Sequence, residues 1–502
     1  MGEEDLKLSI EPRASSLLTT VSNFLTEQDI KSYLVGGFVR DVLLRRNTAD
    51  IDIAVAADAV EIAPEVANAL GGRFVLLDKE NRVGRVVVVD KEAPSGGRWE
   101  LDFSTFEGSI EQDLARRDFT IDAIAVDLGE LTKDYAHVHL TDPFNGWADL
   151  QQGVIRTVSE TAFESDAARL LRAVRLAAEL GFSLDSQTEA LVRHNCHLIA
   201  DVAGERLREE LLRLLAAPQS ERFLPYLDNL GLVTAIIPEL AQAKGVKQPK
   251  EHFWDVFDHS IETVIAVDFL LHEGTWKYTN DEVLAIAPWS EALAQHFAQE
   301  VSSGSTRRSL LKLAALLHDV AKPQTKAIGE DGRMHFLGHA KLGAAMAVNI
   351  LERLRFSSKE VKLVEVMVGE HLRPGQMSQG ELPTHRAIYR YFRHTGEAGI
   401  DILLLSLADH LATRGPQLNL AQWREHAQMV EYVLAQHFEQ ERLVVPPKLV
   451  DGHDLINIFS LSPGPKIGQL LEVVREAQAS GEVTTREEAL AYIRERLTTE
   501  AV

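Results

Sequence analysis

One stretch, residues 33–55 (YLVGGFVRDVLLRRNTADIDIAV), constrains this chain more than any other. An apolar lead-in runs into Gly36-Gly37. Val39, Val42, Leu43 and Leu44 then mark a short amphipathic helix with Arg40 and Asp41 near its start. After the loop RRNTA comes a strand carrying Asp50 and Asp52. Glycine lets the backbone approach a phosphate closely, and the N–H groups that open a helix favour an anion there. Alternate residues of a strand share a face, about 7 Å apart along the chain. Two carboxylates so placed can hold Mg²⁺, whose remaining ligands commonly come from substrate phosphates. Turn, helix and Asp-x-Asp strand in this order suit metal-assisted nucleotidyl transfer, with one metal on the attacking hydroxyl and one on the leaving pyrophosphate. Alone, a glycine pair is commonly a turn and Asp-x-Asp a solvated strand edge; the combination is what carries information.

The length of 502 residues suggests about three or four domains. The net charge of −23 argues against indiscriminate nucleic-acid binding, so any RNA contact must come from local patches. A single cysteine, Cys196, excludes an intramolecular disulfide and a multi-cysteine metal site, as suits a reducing cytoplasm. The acidic opening MGEEDLKLSIEPR does not read as a signal peptide, and no run of about 18 apolar residues predicts a membrane span.

Leu-Val-Gly-Gly-x-Val-Arg-Asp-x-Leu-Leu at 34–44, followed by Asp50-Ile51-Asp52, resembles the signature of class II tRNA nucleotidyltransferases and bacterial poly(A) polymerases. The resemblance implies that Gly36, Gly37 and Arg40 meet a triphosphate while Asp50 and Asp52 hold Mg²⁺. Asp102, in WELDFSTF, is either a third metal-site carboxylate or a solvent-facing strand residue. Arg116-Arg117-Asp118-Phe119-Thr120 resembles a second family motif, in which the arginines meet the triphosphate and the aspartate contacts the nucleotide sugar. Arginine's planar fork suits phosphate. The family's Ile-Asn-Ala is here Ile121-Asp122-Ala123, which puts a charge near the nucleotide.

Residues 163–180 (FESDAARLLRAVRLAAEL) predict one helix ending at Gly181, with Asp166 and Arg169 neighbours on one face at i, i+3. By spacing alone this is a surface ion pair. It also resembles the family's Glu-Asp-x-x-Arg motif, with Ser165 in place of the glutamate. Cytosine and adenine each present an amino donor beside a ring-nitrogen acceptor, which a carboxylate and a guanidinium match. Uracil and guanine reverse that polarity, so one Asp/Arg pair accepts C and A without a template. Glu205, Arg206 and Arg208 resemble a neck element that supports the nucleotide pocket.

A second constellation follows. His259, His318-Asp319 and Asp409, each in an apolar helical stretch, carry the order His … His-Asp … Asp of the HD phosphohydrolase superfamily. Imidazole and carboxylate ligands from separate helices suit a divalent metal that activates water against a phosphate ester. His335, His339 and His371 are candidates for a second metal or a phosphate, and Lys322 for a phosphate contact. His385, Arg386, Arg390, Arg393 and His394, interleaved with aromatics, either contact RNA or belong to an amphipathic helix that packs its rings inward.

The fold expected is α+β. An N-terminal helix (1–32) precedes a nucleotidyltransferase head with a mixed sheet (33–150). A helical neck and body (151–250), an HD domain (251–415) and a helical C-terminal region (416–502) follow. Head strands are expected at 51–55, 73–77, 85–89 and 99–103, with a helix at 60–70, a turn at 95–97 and a capped helix from Ser109. Residues 273–308 read as an insertion with mobile polar ends, and 443–458 as strand-like. Thr105-Phe106-Glu107-Gly108 runs almost directly into the Ser109 helix, where family members adding a complete CCA end carry a flexible loop; this resembles the CC-adding branch. The expected activity is Mg²⁺-dependent addition of C and/or A, from CTP and ATP, to the tRNA 3′ end, in a cytoplasmic enzyme with a metal-dependent HD site. The alternatives are a poly(A) polymerase and an HD phosphohydrolase with a nucleotide-sensing head.

Overall fold

The computed structural model describes residues 8, 10–89, 97–132, 138–302, 304–377, 382–440 and 448–499. Residues 95–96 of the expected turn and 443–447 of the expected strand-like run lie outside the described residues. The chain forms two compact units, Met1–Val202 with Leu230–Leu232, and Ala203–Asn229 with Val233–Val502.

The first unit is built on seven strands: β1 (Ser32–Val35), β2 (Asp50–Val55), β3 (Arg73–Asp78), β4 (Val83–Val89), β5 (Arg98–Thr105), β6 (Ala125–Asp127) and β7 (Leu140–Thr141). Their order is β3-β4-β5-β2-β1-β6-β7. Within the described part of this sheet only the β2–β5 pair is parallel, placing Asp50 beside Glu100 and Asp52 beside Asp102. Period-2 alternation decides the faces. Ile51, Ile53 and Val55 of β2, and Trp99, Leu101 and Phe103 of β5, enter the core. The acidic residues between them therefore share the opposite face. Helices α1 (Pro12–Glu27) and α3 (Ala59–Leu70) pack on each other, and α3 also packs on β3, β4 and β5. The α2 helix (Gly36–Leu43) follows β1 without a linker, and the Ser109 capping box opens only a short α4 (Ile110–Leu114). The expected head strands, the 60–70 helix and the mixed sheet are all present.

The single helix expected over 163–180 is broken. Ala162–Ser165 and Ala168–Leu180 are separate helices, because Asp166 is extended (φ −156°, ψ 100°) and its Oδ1 accepts the Ala168 N–H at 3.2 Å. That local side-chain-to-backbone hydrogen bond competes with continuation of the first helix. Gly181 closes the longer helix in the left-handed conformation, as expected.

The second unit is helical. Its Val256–Leu270 helix is buried on almost every face, as an all-round apolar helix must be. It packs against Arg307–Leu317 and Gly399–Arg414, and the buried Lys312–Asp268 ion pair joins it to the first of these. Within 273–308 the described residues form helices Asp281–Ile286 and Glu291–Ala298 and the strand pair Glu300–Ser302/Ser305–Thr306. The described part of 443–458 holds a helix, Gly452–Phe459, opened by the Asp451 cap, rather than a strand. With Pro465–Ala479 and Arg486–Thr499 it encloses a core of its own around Leu455, Val474, Ala477, Ala489 and Ile493. Among the described residues no helix is long and apolar enough to cross a membrane.

Candidate active sites

In the first unit, the β1–α2 junction and β2 meet at Asp52. Gly36 has φ +67°, and a Cβ there would lie 2.8 Å from Arg117 Nη1 and 3.1 Å from Asp52 Oδ2. Only glycine leaves that space open. The Phe38 N–H lies 3.4 Å from Asp52 Oδ2. Burial pushes the Asp52 carboxyl up to about 6, with Arg117 opposing the shift and Asp102 adding to it. A half-buried carboxylate that wants a counter-charge, beside a cradle that a side chain would fill, fits a divalent cation with phosphate oxygens. Asp50, on the same face of β2, is exposed.

Other expected residues gather around this point with partners of their own. Both oxygens of Asp102 are taken by Arg85, at 2.7 Å from Nε and 2.8 Å from Nη2, and Arg85 also pairs with Glu100. The Arg40 fork is held by Asp41 (3.0 and 3.1 Å) and by Asp122 (2.8 Å). The unexpected acid at position 122 is thus paired; burial pushes its carboxyl up and Arg40 draws it back. Arg116 and Arg117 both bond Asp113, at 2.8 and 3.2 Å, and Arg117 Nε has no hydrogen-bond partner although buried. Asp118 accepts from Arg172 at 3.0 Å. Arg169 Nε lies 3.8 Å from Asp166 Oδ2, while its Nη2 donates to the Arg116 carbonyl at 2.9 Å. Glu205 and Arg208 engage Arg355 within the second unit.

There, His259 comes from Val256–Leu270, His318 and Asp319 follow Arg307–Leu317, and Asp409 projects from Gly399–Arg414. His339 opens one helix and His371 caps another. Two sets of donors result, His259/His318/Asp409 and Asp319/His339/His371. Asp319 joins them: Oδ2 lies 3.1 Å from His318 Nε2 and 3.4 Å from His259 Nε2, and Oδ1 lies 3.4 Å from His339 Nε2. His259 Nε2 is 3.1 Å from Asp409 Oδ1.

Protonation tests the fit to metal. Nδ1 of His318, His339 and His371 each sits 2.7–2.8 Å from the carbonyl three residues earlier, so each Nδ1 donates its proton there. In a neutral ring the Nε2 then carries a lone pair. Facing Nε2 atoms are only 3.2 Å apart (His259/His318) and 3.4 Å apart (His339/His371). The opposed lone pairs of His339 and His371 call for a cation between them, and the backbone bonds are the usual outer support of metal-binding imidazoles; His259 Nδ1 has no hydrogen-bond partner, so its Nε2 can carry a proton toward His318. Burial alone would push Asp319 and Asp409 up; the surrounding imidazoles, and for Asp319 also Lys322, outweigh it and hold both well below the carboxylate range. Burial lowers His371 to about 4, whereas His318 ends raised despite burial because Asp319 lies beside it.

A cavity of about 490 Å³, within the range of small-molecule sites, opens on this cluster and is lined by Lys322, His335, Leu337 and Leu372 among others. His335 lies in its wall and outside both donor sets. Lys322 Nζ is 2.5 Å from Asp319 Oδ2 and 2.7 Å from Gln248 Oε1. Sequence reasoning missed Gln248 and also His252, which lines the cavity and is lowered to about 3 by burial and Lys322. Neither has a motif; only the fold brings them in. On the basic helix His385–Thr395, Arg386, Arg390 and Arg393 pair with Glu482, Glu476 and Glu472, and Tyr391 is buried.

Comparison with known proteins finds families for three parts of the chain. Residues 32–156 match the family "Poly A polymerase head domain", 181–244 match "Probable RNA and SrmB- binding site of polymerase A", and 282–414 match "HD domain". An A-adding tRNA nucleotidyltransferase of Deinococcus radiodurans is 34% identical, over 92% of this chain and 94% of that protein. A CC-adding tRNA nucleotidyltransferase of Thermus thermophilus is 34% identical, over 94% of each. This chain belongs to the tRNA nucleotidyltransferase family. A solved CCA-adding enzyme in complex with ATP shares the fold, with a TM-score of 0.62 at 20% identity over 97% of this chain and 95% of that one. Relatives of this name over nearly the full length favour the tRNA nucleotidyltransferase reading over a poly(A) polymerase or a sensing head.

Proposed function

We propose that the chain adds cytidines, and not the terminal adenosine, to the tRNA 3′ end, in the cytoplasm. The observation that carries this is the connection between β5 and α4: residues 106–109 alone span it, with no room for the flexible loop expected of full CCA addition. Full-length likeness is equal, at 34% identity, for a CC-adding and an A-adding enzyme, so the short connection alone carries the choice. Asp50 and Asp52 would hold Mg²⁺, which when bound favours the ionised RNA 3′-hydroxyl and neutralises charge on the pyrophosphate. Gly36 and Gly37 admit the triphosphate to the backbone, and Arg117, with Arg116, neutralises it. Arg40 keeps Asp41 and Asp122 in place and so supports the turn. Asp118 meets the sugar. Asp166 accepts from the cytosine amino group while Arg169 donates to its ring nitrogen. The 3′-oxygen bonds to the α-phosphorus as the bond to pyrophosphate breaks.

The test is sequencing of 3′ ends after incubating tRNA that lacks its CCA with CTP and ATP. Ends in CC are expected, and efficient final A addition rejects the CC-only reading. Position by position, His259, His318, Asp319 and Asp409 would hold one divalent ion of the HD site, and His339 and His371, sharing Asp319, a second. Lys322 and His335 face the phosphate ester that such a site hydrolyses.

A further inference from the structure

We propose that Ser165 is a specificity-positioning residue, whose hydroxyl fixes the plane of the Arg169 guanidinium so that it meets a base at the ring nitrogen and nowhere else. The inference rests on the reading that Asp166 and Arg169 select the base.

A guanidinium alone cannot tell cytosine from uracil. It offers five N–H donors, and uracil has two carbonyl oxygens to receive them. Discrimination needs the donor held opposite the ring nitrogen, which is an acceptor in cytosine and an N–H in uracil. A fork free to swing reaches a uracil carbonyl instead. Here the fork is held at both ends. Arg169 Nη2 donates to the Arg116 carbonyl at 2.9 Å. Nη1 lies 3.2 Å from Ser165 Oγ and 3.3 Å from the Ala162 carbonyl. The Ser165 hydroxyl has a single proton, given to the Ala162 carbonyl at 2.9 Å. Its lone pairs are thereby turned to Nη1, and the hydroxyl has no second orientation that keeps both bonds.

The break at Asp166 makes this possible, because Ser165 ends one helix and Arg169 begins the next. With both ends of the fork occupied, the Nε edge stays beside Asp166 Oδ2, and the pair presents a donor and an acceptor side by side. The Arg116 carbonyl belongs to the stretch that binds the triphosphate, so one set of bonds sets base reading and phosphate grip in a common frame.

The experiment measures kcat/KM for CTP and for UTP on tRNA lacking its CCA, in wild type, Ser165→Ala, Ser165→Thr and Arg169→Ala, with thermal melting of each. Ser165→Ala is expected to lower the CTP:UTP ratio about tenfold, the scale of a hydrogen bond to a charged group, with Tm unchanged. Ser165→Thr, which keeps the hydroxyl, is expected to stay within about twofold of wild type. If Ser165→Ala keeps the wild-type ratio while Arg169→Ala loses it, the positioning role is wrong and the base-selecting pair stands. If Arg169→Ala also keeps the ratio, the underlying reading falls with it. A fall in Tm with the ratio preserved assigns Ser165 a structural role only and overturns the proposal.

Discussion

At Gly36 two constraints coincide on one atom. The backbone φ of +67° costs an L-residue roughly 1–2 kcal/mol, and a methyl would press on Arg117 and on the Asp52 carboxylate. Gly36→Ala is therefore expected to lower kcat/KM for CTP by about tenfold or more, since 1.36 kcal/mol is a factor of ten. Incorporation of labelled CTP into tRNA lacking its CCA measures it, and an unimpaired variant would mean the triphosphate does not use this turn. The glycines, Asp50, Asp52 and the four candidate HD-site residues stood out in the sequence because each belongs to a spaced motif. Partners did not. Arg85 reaches Asp102 across a strand pairing that only the sheet order reveals, and Arg40 reaches Asp122 over a sequence separation of 82 residues. Gln248 and Lys322 come together from segments with no shared pattern.

At the scale of elements, periodicity found the head strands and most helices, because burial on one face repeats along them. It failed where a side chain competes with the backbone. The carboxylate of Asp166 ends a helix that apolar spacing alone would continue. The helix His385–Thr395 shows the opposite limit. Its arginines meet glutamates almost a hundred residues later, a pairing with no signal in one dimension. These docked pairs are half-exposed, so each contributes under about 1 kcal/mol and is screened by salt. Glu476 is held below the usual carboxylate range chiefly by its hydrogen bond to Arg390. A depressed folded value stabilises above the unfolded pKa of roughly 4.3 and is lost as pH falls through the folded value. Amide protection factors, taken relative to the intrinsic exchange rate at each pH, should therefore fall in Pro465–Ala479 below about pH 4 and in molar salt, while Val256–Leu270 stays protected. Equal protection of Pro465–Ala479 at neutral and acid pH would show that apolar contacts hold these helices and the ion pairs add nothing.

For the whole molecule, two compact units each carry a site of different chemistry. In the first, Arg85 holds both oxygens of Asp102, which lies beside Asp52. The second gathers imidazoles and carboxylates in advance. Ligands that bind only the folded state stabilise it by mass action, about 2.7 kcal/mol at a hundred times Kd. Because the ligand sets lie in separate units, calorimetry of chelator-stripped protein should resolve two transitions that respond to different additions. Mn²⁺ alone should raise the transition of the second unit, and Asp319→Ala should abolish that rise because Asp319 is shared by both donor sets. Mg²⁺ with CTP should raise the transition of the first unit, and Asp52→Ala should remove most of that response. If Mn²⁺ moves the wild-type and Asp319→Ala transitions equally, the buried cluster is a hydrogen-bonded core and not a metal centre.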